Sequence, residues 1–516
     1  MNKKIKALQI GMDNWEKGFS QDQKDTLEWL YFNSYDSGES DISILLEKMN
    51  DQTFDVVLIT GKVNWGAVEK ISKFIEPYRL IIDECHKTNI PLEFKLKKCP
   101  WFVDALDKKE VIETIIKYFF PGQMGSKLHI NTILVNEKFI GEKVIFGQSH
   151  IKLSGNFSSC SEGTLLTWQQ NIGMYGRSKK IWLEFACEDG VEISLIILKM
   201  REGTTQVIER CTYTQDKLKN GIEIEYDKKV GYVSLSLIVE GSGAVDIGPL
   251  HFRDSRASYG EYIPGGKKIY DKSNQELFYY FYPGDLKPPL NIYFSGYRSA
   301  EGFEGFFMMK KLGSPFLLIT DPRLEGGSFY MGSLDLEKKI VRIISNYLIK
   351  LGFTNTQLVL SGLSMGTYGA LYYASKLSPR YVIVGKPLVN IGDIAANETI
   401  VRPGGFPTSL DILYSLTGKL SDEGVSILNS RFWTSFEKSN FSNTIFIISY
   451  MKNDDYDLNA YKDIITSLSS KNSIVIGKGI PGRHNDNSQA INEWFISQYR
   501  RILVEEYGRK RRNDGF

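Results

Sequence analysis

Thr356–Tyr373 reads TQLVLSGLSMGTYGALYY, and this stretch decides the fold around it. Leu358, Val359 and Leu360 form an apolar, strand-like run. Gly362-Leu363-Ser364-Met365-Gly366 follows as a tight G-x-S-x-G turn, and the residues after it are compatible with a helix. A serine between strand and helix in such a turn is strained, with its hydroxyl presented to a cleft. The flanking glycines permit a close approach that a Cβ would block. Gly369 and Ala370 keep the next helical turn small. A five-residue pattern of this kind also arises by chance, so partners for Ser364 must carry the argument.

A serine hydroxyl needs a base to take its proton, and the base needs an acid to fix its tautomer. Of the five histidines, His484 alone follows Ser364 in the chain. It lies in Pro481-Gly482-Arg483-His484-Asn485-Asp486, between the apolar run Ser473–Ile476 and the amphipathic segment Asn487–Val504. The acid is expected at the end of the preceding strand, Asn443–Tyr450. That strand runs out into Met451-Lys452-Asn453-Asp454-Asp455-Tyr456-Asp457. With Met451 in the glycine place of a strand-then-G-x-x-D pattern, the acid falls on Asp454. Asp455 is the alternative and Asp457 a third. The order serine, aspartate, histidine resembles that of α/β-hydrolases.

Charge develops on the carbonyl oxygen in acyl transfer and needs hydrogen-bond donors. One is expected from the backbone N–H of Met365. The second is expected from the loop after the strand Leu290–Phe294, as the N–H of Gly296 or Tyr297. Arg298 is a candidate for holding a polar substrate or for bracing that loop. Asp321-Pro322-Arg323, with Gly326-Gly327-Ser328 after it, is expected to shape the pocket, so Asp321 and Arg323 are further substrate-binding candidates.

The chain divides into three regions. Residues 1–122 alternate short apolar runs (Ile5–Ile10, Phe54–Thr60, Arg79–Asp83) with helical patterns, as in a Rossmann-like parallel sheet. Asp55, Asp83 and Glu84 stand near strand ends, as solvated termini or as an acidic metal pocket. His86 beside Cys85 has no further ligand nearby in sequence, and no nucleotide fingerprint is present. After Pro121-Gly122, residues 123–263 change to short alternating strands separated by Gly, Asn, Asp and Ser, the pattern of a β-sandwich. Its Trp168, Tyr175 and Trp182 fit either a core or a sugar-stacking surface. After Pro264-Gly265-Gly266, residues 264–516 suit one α/β-hydrolase-like domain. Residues 397–440 interrupt it with Pro403, Gly404, Gly405 and Pro407, as a cap would. The fold class expected is therefore α/β.

Composition excludes several classes. The net charge of +2 on 516 residues gives no field favouring nucleic acid. The five cysteines are scattered without C-x-x-C spacing, which suits a reducing compartment and no zinc site. No apolar run reaches the ~20 residues of a membrane span, and no signal-peptide core follows the basic start, so a cytoplasmic location is expected. The tail Arg509-Lys510-Arg511-Arg512 is either frayed or a contact with a partner or the inner membrane surface.

Four stretches carry a family resemblance: VLSGLSMGTYGALYY (359–373), FSGYRSAEGFEGFF (294–307), TDPRLEGGSFYMGS (320–333) and PGRHND (481–486). With them the whole chain resembles the hydrolase-like member of the accessory Sec system of streptococci and staphylococci. The resemblance implies O-acetylation of N-acetylglucosamine on serine-rich-repeat adhesins, with Ser364, Asp454 and His484 as nucleophile, acid and base. It also implies support of adhesin export with two sibling accessory secretory proteins and a motor ATPase. No cofactor or metal is implied, and the acetyl donor stays open. A plain carboxylesterase and a non-enzymatic trafficking scaffold are the rival readings.

Overall fold

A computed structural model describes residues 3–35, 42–45, 47, 53–160, 163–399, 401–406 and 408–510. Among the described residues the fold is mixed α/β, with three sheets. Pro407, Arg511 and Arg512 lie outside the described residues.

One compact unit comprises residues 1–123 with the returning segments 255–267 and 282–286. Its five strands are all parallel, in the order Leu27–Phe32, Ile5–Ile10, Val56–Ile59, Leu80–Asp83, Trp101–Val103. Val56–Ile59 is buried on both faces, which is why it reads as a continuous apolar run. The two outer strands are short or mixed in polarity and escape periodicity. Asp55 is bound to Arg79 and to the backbone N–H of Lys6, and Asp83 caps the N–H of Cys85. His86 is buried with Nε2 on the carbonyl of Gly61. Neither group forms a metal site, and the described residues hold no such cluster. Arg256, on the returning segment, donates to the carbonyls of Tyr118, Phe120, Gly122 and Tyr262.

The second unit comprises residues 124–254, 268–281 and 287–516. Its first part is antiparallel and centred on Val230–Asp254, a 25-residue strand. The early half pairs with Val191–Arg201 and the late half with Lys179–Cys187, so one strand serves both layers. The sequence predicts two strands here. They are one, bent where Gly241 has φ 96° and its would-be Cβ lies 1.9 Å from the Gly190 carbonyl oxygen. Trp168 and Trp182 are buried in this region, and Trp182 donates to the carbonyl of Asn274. They are core residues and offer no stacking surface; Tyr175 is exposed.

The remainder is an eight-stranded sheet with strands β1 (Lys267–Tyr270), β2 (Glu276–Tyr282), β3 (Leu290–Phe294), β4 (Phe316–Thr320), β5 (Leu358–Leu363), β6 (Tyr381–Gly385), β7 (Ile445–Met451) and β8 (Ile474–Ile480). The spatial order is β1-β2-β4-β3-β5-β6-β7-β8, parallel from β4 to β8. The helices are α1 (Phe306–Leu312), α2 (Leu334–Leu351), α3 (Met365–Leu377), α4 (Ile391–Asn397), α5 (Ser409–Thr417), α6 (Asp422–Lys438), α7 (Ala460–Ser469) and α8 (Ser488–Glu505). In α2, Leu336, Ile340, Ile344 and Leu348 are buried at four-residue spacing. Each contributes roughly 1.5–3 kcal/mol of burial as an upper estimate. Ser333 caps its start through the N–H of Leu336, and Gly352 at φ 70° ends it. The fully buried central strands place β5, and hence the residue after it, at the middle of the sheet's carboxyl edge. Helices α4, α5 and α6 fill the interruption between β6 and β7. No helix of the described residues is long and apolar enough to cross a membrane. In the basic tail, Arg509 is tied to the carbonyls of Lys287 and Pro288.

Candidate active site

Ser364 follows β5 directly and takes φ 51°, ψ −121°, a conformation that costs an L-residue about 1–3 kcal/mol. The surroundings hold it there. Its N–H donates to the Gly385 carbonyl at 2.9 Å, and its carbonyl accepts the N–H of Thr367 at 2.9 Å and Thr367 Oγ1 at 2.6 Å. Thr367 Oγ1 also accepts the N–H of Leu388 at 2.9 Å. The glycine spacing has a steric cause: a Cβ on Gly362 would lie 2.2 Å from the Gly366 carbonyl oxygen, and one on Gly366 would lie 2.1 Å from that of Phe294.

The loop between β8 and α8 brings His484 to this point. Its Nε2 is 2.9 Å from Ser364 Oγ, and its Nδ1 is 2.9 and 3.1 Å from the two carboxylate oxygens of Asp454. His484 is 3% exposed and Asp454 6%, whereas Ser364 is half-buried, so of the three Ser364 is the one open to solvent. Asp454 Oδ1 also accepts the N–H groups of Tyr456 and Asp457, which fix the carboxylate. The neighbouring acids are occupied elsewhere. Asp455 accepts the backbone N–H of His484 and the Nε of Arg402. Burial would raise its pKa, but these two donors hold it below the ordinary value. Asp457 accepts the N–H groups of Val389 and Asn390 and is pushed up to about 6 by burial.

The oxyanion expectation needs one correction. The N–H of Gly296 is donated to Glu304 Oε2 at 2.7 Å, so it does not face Ser364 as a free donor. Glu304 is raised by burial, with the Gly296 N–H and Arg298 opposing. Gly296 still lies against the elbow, its would-be Cβ 3.3 Å from the Leu363 carbonyl oxygen.

The three substrate-binding candidates are engaged within the protein. Asp321 and Arg323 form a buried bidentate pair at 2.7 and 2.8 Å. Asp321 Oδ2 also accepts the N–H groups of Ser328 and Tyr330, so the pair shapes its own loop and has no group left for a substrate. Arg298 Nη1 donates to the Phe303 carbonyl, which makes it a brace for the loop. What does line the site was missed in the sequence. The Tyr456 ring meets the His484 ring edge-on at 4.4 Å. The Arg402 guanidinium lies 5.0 Å from the Tyr456 ring centre. Phe406 contacts the rings of Tyr297, Phe329 and Tyr456. Lys386, lowered by burial against Asp454 and Asp486, donates to Ser488 Oγ and the Asp486 carbonyl and so ties the His484 loop to β6. The Pro403-Gly404-Gly405 run was the available signal for the Arg402–Phe406 turn.

Comparison with known proteins adds the following. The family model described as accessory Sec system GspB-transporter matches residues 5–509. An accessory Sec system protein of Staphylococcus aureus is 39% identical over 99% of this chain and 98% of its own length. One of Streptococcus gordonii is 38% identical over 99% of this chain and 100% of its own. A solved chain of the glycosylation-associated protein (Gap123) complex from Streptococcus agalactiae superposes with a TM-score of 0.88 at 37% identity, covering 99% of this chain and all of that one.

Proposed function

The chain belongs to the accessory Sec system GspB-transporter family, and on that premise we propose that it is a serine-dependent O-acetyltransferase of α/β-hydrolase type acting within adhesin export. The observation that carries the reading is the continuous hydrogen-bonded series Ser364–His484–Asp454 on a strained elbow. Ser364 Oγ attacks the carbonyl carbon of an acetyl donor while its proton passes to His484 Nε2. The N–H groups of Met365 and Tyr297 receive the developing oxyanion. His484 returns the proton to the leaving group, which leaves an acetyl-serine. A hydroxyl of N-acetylglucosamine on a serine-rich-repeat adhesin then gives its proton to His484 and takes the acetyl group, and His484 returns that proton to Ser364 Oγ as its bond to the acetyl carbon breaks.

Water can replace the sugar in the second half, so positioning of the acceptor separates transfer from hydrolysis. The Arg402–Phe406 turn and helices α4–α6 are the candidate cover. The likeness to a chain of the Gap123 complex supports assembly with two sibling accessory proteins, and the motor ATPase and the glycosylated adhesin complete the proposed partners. A cytoplasmic location, with contact at the inner face of the membrane, accompanies that assembly.

The test is mass spectrometry of adhesin glycans from cells carrying Ser364→Ala. The acetylated sugar should disappear while the protein is still made and folded. Normal acetylation in that strain would refute the reading.

A further inference from the structure

A second cluster of ionisable groups lies outside the triad, fully buried, where the antiparallel region meets the loops of the eight-stranded sheet. His251 on the long strand is 0% exposed. Its Nε2 is 2.9 Å from Glu184 Oε1 and its Nδ1 2.6 Å from Glu301 Oε1. Lys127 Nζ is 3.5 Å from Glu301 and donates to the carbonyls of Pro322 and Leu324. The N–H of Glu301 donates to the Gly125 carbonyl.

Buried ion pairs of this kind are weak devices for stability, since their desolvation cost rivals their attraction. Their placement points elsewhere. Glu301 stands four residues after Tyr297 in the β3–α1 loop, and Pro322 and Leu324 stand in the β4–α2 loop. The two loops meet at the elbow. The Tyr297 ring lies over Gly326, and Met365 packs on Gly327, whose would-be Cβ is 2.6 Å from Met365 Cε. Tyr330 OH donates to the Ser295 carbonyl, and Thr320 Oγ1 to that of Gly302.

We infer that the antiparallel region sets the oxyanion donor of the proposed acyl transfer through a latch of His251, Glu184, Lys127 and Glu301, with His251 and Glu301 as positioning residues for the Tyr297 N–H. A ring with a carboxylate oxygen on each nitrogen donates to both only as imidazolium. Burial alone would lower its pKa; Glu301 and Glu184 raise it to about 9, with Lys127 opposing. Burial would raise Glu301, and His251, Lys127 and Arg253 bring it to about 2. The other charged groups facing the latch are His129 and Glu325 beside Lys127, and Arg323 and His150 beside Glu184. The latch thus holds together through neutral pH and releases when His251 loses its proton.

The inference rests on the acyl-transfer reading and is tested with the full chain hydrolysing p-nitrophenyl acetate. Removing an oxyanion donor outright costs ~10²–10³ in kcat. Displacing one through Glu301→Gln or His251→Gln should lower kcat by at least ~10-fold, with KM within ~2-fold. In the wild type, kcat should fall as pH rises through about 9 while near-UV circular dichroism stays native. Folded variants with wild-type kcat would overturn the latch. If neither variant folds, a wild-type kcat that stays flat beyond that pH overturns it equally. Turnover lost in Ser364→Ala but unchanged in the latch variants removes the latch alone. Turnover retained in Ser364→Ala removes the acyl-transfer reading and the latch with it.

Discussion

Asp455 Oδ1 accepts the backbone N–H of His484 at 2.9 Å, so two consecutive aspartates hold one histidine, Asp454 by its ring and Asp455 by its main chain. Their substitutions should differ in kind. Asp454→Asn presents an amide to Nδ1 and favours the wrong tautomer, so kcat should fall by ~10⁴ with KM little changed. Asp455→Asn keeps an oxygen for the His484 N–H, and its loss should stay within ~10-fold, or about 1.4 kcal/mol. Steady-state p-nitrophenyl acetate turnover compares the two; equal losses would refute this division.

Arg402 reaches the base through the same residue, its Nε 2.7 Å from Asp455 Oδ2. Both side chains are partly exposed, so the pair should add less than ~1 kcal/mol to stability. Its expected effect is on turnover: Arg402→Gln lowers kcat in the wild-type background and has no further effect in Asp455→Asn. A double-mutant cycle on kcat measures that coupling. Additive losses would show that Arg402 acts elsewhere.

Gly366 cannot carry a side chain without moving β3, because the Phe294 carbonyl oxygen occupies the Cβ position. Gly366→Ala should cost at least ~2 kcal/mol in urea unfolding. Gly404, with nothing within 4 Å of its would-be Cβ but φ 70°, should cost about 1 kcal/mol as alanine. The ranking of the two midpoints tests whether close approach or backbone conformation dominates.

That Ser364, Asp454 and His484 would meet was legible in sequence because each has a topological address. Ser364 ends a buried strand, Asp454 leaves the next-but-one, and His484 sits before the last helix. The fold was legible where strands are buried on both faces, as in LNIYF and FDVVLIT, and missed where they are edge strands or bend. Val230–Asp254 read as two strands because Gly241, Ser242 and Gly243 look like a turn and instead bend one strand between two layers. The engagement of the substrate candidates within the protein was not legible. Position after β4 makes Asp321 and Arg323 candidates, but in the fold their donors and acceptors are engaged with each other and with Ser328 and Tyr330. The same holds for Gly296, whose N–H is taken by Glu304, eight residues on.

Arg323 is therefore a structural test. Arg323→Met leaves Asp321 buried with its three backbone donors but without its counter-charge, and such broken pairs cost about 3–5 kcal/mol. Urea unfolding should show that loss, and any fall in turnover should track the folded fraction. A stable variant with a raised KM would restore Arg323 as a substrate-binding residue.

The latch makes a separate prediction about stability. His251 has a folded pKa of about 9 against an ordinary 6.5. A raised histidine contributes stability that is complete below about pH 6.5 and is lost as pH rises through 9. A shift of that size is on the order of 3 kcal/mol. Glu301 is depressed from 4.5 to about 2, so its share is present above about pH 4.5 and is lost as pH falls through 2. Urea midpoints should thus form a plateau between those limits and decline on the alkaline side before lysines titrate. Glu301→Gln removes one of the two carboxylates that hold the proton on His251, so the alkaline decline should shrink and be complete at a lower pH. A wild-type midpoint unchanged between pH 7 and 9.5, or an identical decline in Glu301→Gln, would show that His251 is not held as a cation by this cluster.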